Sequence, residues 1–325
     1  MAPNLRLTVF LGMAVLVALM WGFSFASKRF EHVAAGVAAL EPREFDALTV
    51  VTLGTGGTFE NHWRSGPSIA IAVDQQVLLV DAGRGLAAAL RAAAIPSDQP
   101  REVLLTGLQS ENVLGLADLW LSGWLARRDG PLRIYGPVGT AHLVTRLQSA
   151  HSVGADAAAA GWALPESGGE LQVVELTGGE RLALANFQVG VTPLPGGPMP
   201  ALAFRIESGG SVITTASAGW APDAVAEAAR DADLLLVGAV YGASLEAAAE
   251  AGADHIEVLQ AEAAQHFRLE ALGGLAQEAG VRGLVLTRLR PPPVFAFQYK
   301  RIVQRTFPGP VIIASDGEEV IPYAR

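Results

Sequence analysis

The chain predicts an α/β fold built on at least two sheets. Apolar runs of strand length recur from residue 48 to the end, and turns or Ala/Leu-rich helical stretches separate them. Half of the 325 residues are hydrophobic, enough to bury one large core or two ordinary ones. The runs in order are LTVVTLG (48–54), SIAIAV, VLLVDA, VLLT, LRIYG, LQVVEL, LALANFQVGV, ALAFRI, SVITTA, LLLVGA, GLVLT, PVIIAS and EVIPY.

Ahead of them, residues 7–26 read LTVFLGMAVLVALMWGFSFA without a charge. Such a segment is long enough to cross a hydrocarbon core of about 30 Å as a helix. Ser24-Phe25-Ala26 has the small-x-small form of a cleavage site, but the apolar run is long for a leader and Lys28-Arg29 follow directly. The expected organisation is therefore an uncleaved membrane anchor or signal segment (1–27), a tether (28–47) and one domain (48–325), with the domain periplasmic or otherwise extracytoplasmic.

Among the helical stretches, ADLWLSGWLARR (117–128) brings Trp120, Leu121, Trp124 and Leu125 to one face, read as core packing. An internal echo adds to the architecture. VLLVDAGRGLAAALRAAAIPSDQPREVLLTGL and SVITTASAGWAPDAVAEAARDADLLLVGAV both run strand, glycine-containing turn, Ala-rich helix, strand. The echo matches Asp81 with Ser217 and puts Gly107 near Gly238, all at carboxyl ends of strands, where α/β proteins place their ligands.

Bulk chemistry excludes several functions. The absence of cysteine removes thiolate metal sites, disulfides and Cys nucleophiles. A net charge of -9 with 23 dispersed basic residues argues against a nucleic-acid partner. Gly54-Thr55-Gly56-Gly57 is not followed by a helix, so it is read as a close backbone turn beside the pocket rather than a phosphate loop. Ser208-Gly209-Gly210-Ser211 reads as a hairpin turn, and Gly-x-Ser-x-Gly is absent. His62, His142, His151 and His255 show no paired ligand spacing, and Asp254-His255 with Glu257 reads as a solvated helix start.

VTLGTGG (51–57), RSGPS (64–68), LLVDAGRG (78–85), VLLTGLQSENVLG (103–115), GLADLWLSGWL (115–125) and IYGPVGT (134–140) occur together in order. PALAFRIESGGSVITTAS (200–217) and HFRLEALGGLAQEAGVRGLVLTRLRPP (266–292) follow. On these motifs the chain resembles the metallo-β-lactamase fold hydrolases, in the branch related to ribonuclease Z and arylsulfatase-like enzymes. The resemblance implies a four-layer αβ/βα sandwich with the site along the edge where the sheets meet. It also implies a Thr-His-x-His-x-Asp-His loop, then a further His, an Asp and a last His, together holding two divalent metals that activate water.

Set against this sequence, those places fall at Gly107, Gln109, Glu111, Asn112, Gly196 or Gly197, Ser217 and Arg288. Only Glu111 keeps a carboxylate, and the Arg288 guanidinium has no lone pair to give a metal. Arg288 is expected within salt-bridge distance of Glu111 or Asp81. His266 falls where the resemblance implies a histidine that assists the substrate or leaving group, although a lone His at a helix start is more often a cap or a hydrogen-bonded core residue.

The preferred expectation is a membrane-anchored pseudoenzyme with no cofactor. It would bind a small molecule or a protein in the former active-site cleft, meet the membrane through the N-terminal helix, and bind no nucleic acid. The alternative is a hydrolase of phosphate or sulfate esters on a remodelled site of Asp81, Glu111 and His266, with zinc or another divalent metal.

Overall fold

In the computed structural model, residues 3–37, 39–59 and 61–322 are described. They form two compact units, one up to Leu40 and one from Glu41. The first unit is a single helix, α1 (Pro3–Val37), in which Val9–Glu31 is long and apolar enough to cross a membrane and has no buried residue in its most apolar stretch. The helix thus runs through ten residues assigned to the tether, and the first strand starts at Phe45 rather than at residue 48. Ala34 and Ala35 favour helix, and the first proline beyond them, Pro42, lies past its end.

The second unit is the sandwich. Its first sheet has the order β15-β1-β2-β3-β4-β5-β6. These strands are β1 (Phe45–Gly54), β2 (Ser68–Asp74), β3 (Gln76–Val80), β4 (Glu102–Leu104), β5 (Leu132–Pro137), β6 (Leu171–Leu176) and β15 (Glu318–Val320). The second sheet has the order β14-β13-β11-β10-β9-β8-β7, with the short β12 (Phe267–Arg268) paired to β11. Its members are β7 (Arg181–Leu184), β8 (Phe187–Pro193), β9 (Leu202–Ser208), β10 (Ser211–Ala216), β11 (Leu234–Val240), β13 (Gly283–Arg290) and β14 (Val311–Ile313). Ser208 pairs with Ser211, so Ser208-Gly209-Gly210-Ser211 is the tight hairpin its glycines predict.

Three hydrophobic clusters define the layers. One holds Val50, Ile71 and Leu104 from the first sheet against Phe204, Ile213 and Val285 from the second, and so lies between the sheets. A second backs the first sheet with α2 (Leu86–Ala92), α4 (Leu116–Leu125) and α5 (Thr140–Trp162). The third backs the second sheet with α6 (Pro222–Ala228), α9 (Leu269–Ala279) and α10 (Ala296–Val303). Strands buried on both faces, such as LLLVGAV of β11, read as continuous apolar runs for this reason.

Two local expectations need correction. LALANFQVGV is not one strand: Ala185, at a φ of 47°, and Asn186 turn the chain between β7 and β8. A left-handed residue beside an asparagine breaks an apolar run that periodicity alone would continue. In α4 the buried face is Leu116, Leu119, Trp120, Gly123 and Trp124, while Leu125 is exposed. That set follows helical spacing of three and four, so Leu125 rotates off the core while Leu121 packs against its edge, half-buried.

Candidate active site

The loop after β4 joins the two sheets. Thr106 O accepts the Leu202 N–H at 2.8 Å, and Gly107 makes a bridge with Ala201 at the head of β9. Asp81 follows β3, Thr106 follows β4, Ser217 follows β10 and Arg288 lies near the end of β13, so carboxyl ends of strands from both sheets meet here. The short helix α3 (Ser110–Val113) adds Glu111 and Asn112, both buried.

Thr106 is the link between the halves of the echo. Its Oγ1 lies 2.8 Å from Asp81 Oδ2 and 2.7 Å from Ser217 Oγ, and its N–H donates to Asp81 Oδ1 at 2.8 Å. The two residues matched by the echo thus share one hydroxyl at the seam between the sheets.

Arg288 fills the centre. β13 carries one more residue than β11 between Thr287 and Arg290, a bulge in which Arg288 takes a left-handed φ of 49° and donates its N–H to Thr55 O at 2.9 Å. Strain of this kind clusters where a side chain must be aimed. The guanidinium is buried, contacts the Asp81 carboxylate through Nη2, donates Nη1 to Asn112 Oδ1 at 2.9 Å and lies 3.7 Å from Glu111 Oε1. It pairs with both expected acids.

A second arginine extends the network. Arg290 Nη2 donates to Glu111 Oε2 at 2.6 Å and to Thr58 Oγ1 at 3.1 Å, and its Nε pairs with the carboxylate of Glu262. The Thr58 hydroxyl lies 2.6 Å from Glu111 and 2.9 Å from Glu262. Glu262 belongs to α8 (Ile256–Ala263) and faces His266 Nε2 at 3.2 Å. His266 sits between α8 and β12 in contact with an acid, not at a helix start, and its Nδ1 is buried without a hydrogen-bond partner among the described residues. Gly57 makes room for this arrangement, since a Cβ there would sit 2.9 Å from the Arg290 guanidinium carbon.

The result is a buried chain of alternating charge from Asp81 through Arg288, Glu111 and Arg290 to Glu262. Burial pushes the Asp81 carboxyl up, against the pull of Arg288 and the Thr106 N–H. Burial acts on Glu111 too, but Arg290 and Arg288 outweigh it and hold that carboxyl below its ordinary range. Glu262 is likewise lowered: burial opposes ionisation, while the hydrogen bond to His266 and the charge of Arg290 favour it.

An acid whose folded pKa is depressed stabilises the fold above its unfolded value, and the contribution is lost as pH falls through the folded one. The denaturation midpoint of a Glu111→Gln variant is therefore expected to lie furthest below wild type near about pH 7. The gap should close on acidification below the ordinary carboxyl value of 4.5. A gap independent of pH would contradict the charge pairing.

These residues do not fit a two-metal centre. Gly107 has no side chain, and a Cβ there would overlap the Gln109 amide oxygen. That oxygen accepts from Asn112 Nδ2 at 3.2 Å, and Asn112 Oδ1 is taken by Arg288. Glu111 is bound by two guanidiniums, and Arg288 places a fixed positive charge among the donors. Among the described residues no group of three His, Asp or Glu side chains converges as a metal site. Gly197 stands apart against the Trp220 indole, whose Nε1 donates to Leu194 O at 3.1 Å. A Gly197→His side chain would overlap that ring, so its melting temperature should fall by the equivalent of about 1–3 kcal/mol unless Trp220 is also made small. An unchanged melting temperature would show that the indole is free to move.

Sequence reasoning missed Arg290, Thr58 and Glu262. Arg290 had only its place two residues beyond Arg288 as a signal, and the bulge at Arg288 breaks the strand alternation that would relate the two side chains. Glu262 had none, because it reads as one acid in an Ala-rich helix. His255 is the exposed, left-handed cap residue of α8, as its solvated helix start predicts.

No family model matches the chain. It is 30% identical over 278 residues to a ribonuclease Z from Mycolicibacterium paratuberculosis, covering 83% of this chain and 96% of that one. A ribonuclease Z from Mycobacterium bovis is 28% identical over 287 residues, covering 86% of this chain and 99% of the relative. Among solved structures, the metallo-β-lactamase fold protein YhfI from Bacillus subtilis superposes with a TM-score of 0.65 at 19% identity, covering 85% of this chain and 99% of that one. The shared fold follows from the last comparison.

The first two correct the functional expectation. A non-catalytic pseudoenzyme is overturned by relatives that match almost end to end and are named as ribonucleases, which favour the hydrolase alternative. The expectation of no nucleic-acid partner stands against the same name.

Proposed function

The chain belongs to the ribonuclease Z family, and from that premise we propose that it is a hydrolase of phosphate esters whose cleft holds the scissile phosphate with Arg290, Arg288 standing buried behind it. The observation that supports this most is the guanidinium pair itself. Two arginines with fork geometry stand at strand carboxyl ends where the family resemblance places metals. Guanidiniums aimed at a phosphoryl group stabilise the charge that develops in the transition state.

Zinc would supply hydroxide and charge stabilisation in a metal-bearing relative. Here the donor set leaves those tasks to side chains. An incoming phosphate takes the position of the Glu262 carboxylate on Arg290, with Arg288 behind it neutralising Asp81 and Glu111. The water oxygen bonds phosphorus and the ester P–O bond breaks. The proton lost by water passes to the Glu262–His266 pair, and the leaving oxygen takes a proton from that pair.

The relatives' name makes an RNA phosphodiester one substrate of this class, so an oligoribonucleotide is assayed beside a small aryl phosphodiester. Turnover of either that persists in a chelator supports the reading. No turnover of either, with or without added metal, would overturn it. The helix Val9–Glu31 is proposed as an uncleaved anchor for an extracytoplasmic domain, and the intact mass of the mature chain distinguishes an anchor from a cleaved leader.

A further inference from the structure

A cavity of about 330 Å³ opens beside Arg290, and the phosphate-binding reading does not use it. One wall is the helix pair α7 (Gly242–Glu250) and α8, through Leu245, Leu259 and Ala263; the other is Tyr241, Leu289 and Pro291. Among its described lining residues only Glu262 and Arg290 are charged, and both stand at the end nearest the buried network. The cavity therefore has one apolar body and one cationic end occupied by a carboxylate. Ligand sites of this kind bind an apolar group and fix it through a few polar contacts.

The covering helices are held lightly. Gly242 is the only buried residue of α7, and α8 has none. What ties α8 to the site is polar: Glu262 reaches Arg290, Thr58 and His266. Glu262 thus occupies the anion position that a substrate would take.

We infer that this cavity is a specificity subsite for an aliphatic ester group, so that the preferred substrate is an anionic amphiphile whose phosphate displaces Glu262 from Arg290 while its hydrocarbon chain fills the space under α7 and α8. The inference rests on the phosphate-ester reading and adds the substrate class. The wall is mostly apolar, with Asn61, Tyr241 and Ser244 as its polar side chains away from the Thr58, Glu262 and Arg290 cluster, and so favours hydrocarbon over a nucleobase, whose ring edges would need several hydrogen-bond partners along it. An apolar subsite beside the reacting phosphate also raises turnover, because binding energy remote from the scissile bond holds that bond in place.

The test is direct binding, measured separately from turnover. The full chain, held in amphipol, is titrated calorimetrically with inorganic phosphate, methyl phosphate, hexyl phosphate and a nucleoside monophosphate. Hexyl phosphate is expected to bind at least about tenfold tighter than methyl phosphate, since each buried methylene adds favourable transfer free energy. Glu262→Gln should tighten every phosphate, and Ala248→Trp, which fills the cavity, should bring hexyl phosphate down to the affinity of methyl phosphate. Equal binding of hexyl and methyl phosphate would overturn the subsite and leave phosphate binding standing. A nucleoside monophosphate that binds tighter than hexyl phosphate would overturn it in favour of a base pocket. No binding of any phosphate, in wild type and in Glu262→Gln alike, would overturn both the subsite and the reading beneath it.

Discussion

Replacing Arg290 by alanine is expected to lower turnover of an aryl phosphodiester by at least about 10²-fold, because it removes a preorganised donor aimed at the phosphoryl oxygens. The loss should fall on kcat as well as on KM, since charge on those oxygens grows in the transition state. Arg290→Lys keeps the charge but loses the planar fork that contacts Glu111, Thr58 and Glu262 together, so it should recover only part of the rate. Initial rates across a substrate series decide the matter. A wild-type rate in Arg290→Ala would remove the guanidinium from the chemistry.

Arg288 should matter most for folding. Its head is buried between Asp81 and Glu111, both also buried, so Arg288→Ala leaves the Asp81 carboxylate without its guanidinium where water does not reach, while Glu111 keeps Arg290. Breaking a buried pair from one side costs about 3–5 kcal/mol, a large share of the roughly 5–15 kcal/mol that holds a domain together. The double variant Arg288→Ala, Asp81→Ala should be less destabilised than the sum of the single ones, because the second change removes a charge the first stranded. Denaturant midpoints followed by tryptophan fluorescence give the comparison. Strict additivity would mean that the two side chains do not act as a pair.

Much of this site was legible in order along the chain. Asp81 and Ser217 stand at matching places in the internal echo, and in the fold both contact Thr106. Gly107, Gln109, Asn112 and Arg288 are located by the family resemblance, which implies metal ligands at those places in the motif order. Glu262 could not. It reaches Thr58 across 204 residues of sequence, from a helix with no buried residue, and nothing in local periodicity marks such a contact.

The functional expectation failed for a related reason. Counting metal ligands at the positions the resemblance implies gives no sign that Arg290, two residues beyond Arg288, pairs with Glu111 beside it. The left-handed turn at Ala185 was equally hidden, since Leu, Ala and Phe continue the apolar pattern on both sides of it.

A guanidinium and carboxylate network occupies the place where the resemblance puts two metals. Metal analysis of the full-length protein tests it most directly: the protein is loaded with zinc, manganese or iron, passed through gel filtration and measured for bound metal per chain. Far less than one equivalent of each is expected, with aryl phosphodiester turnover unchanged by loading or by chelator. Retention of one or more equivalents, together with turnover that a chelator abolishes and the same metal restores, would contradict it.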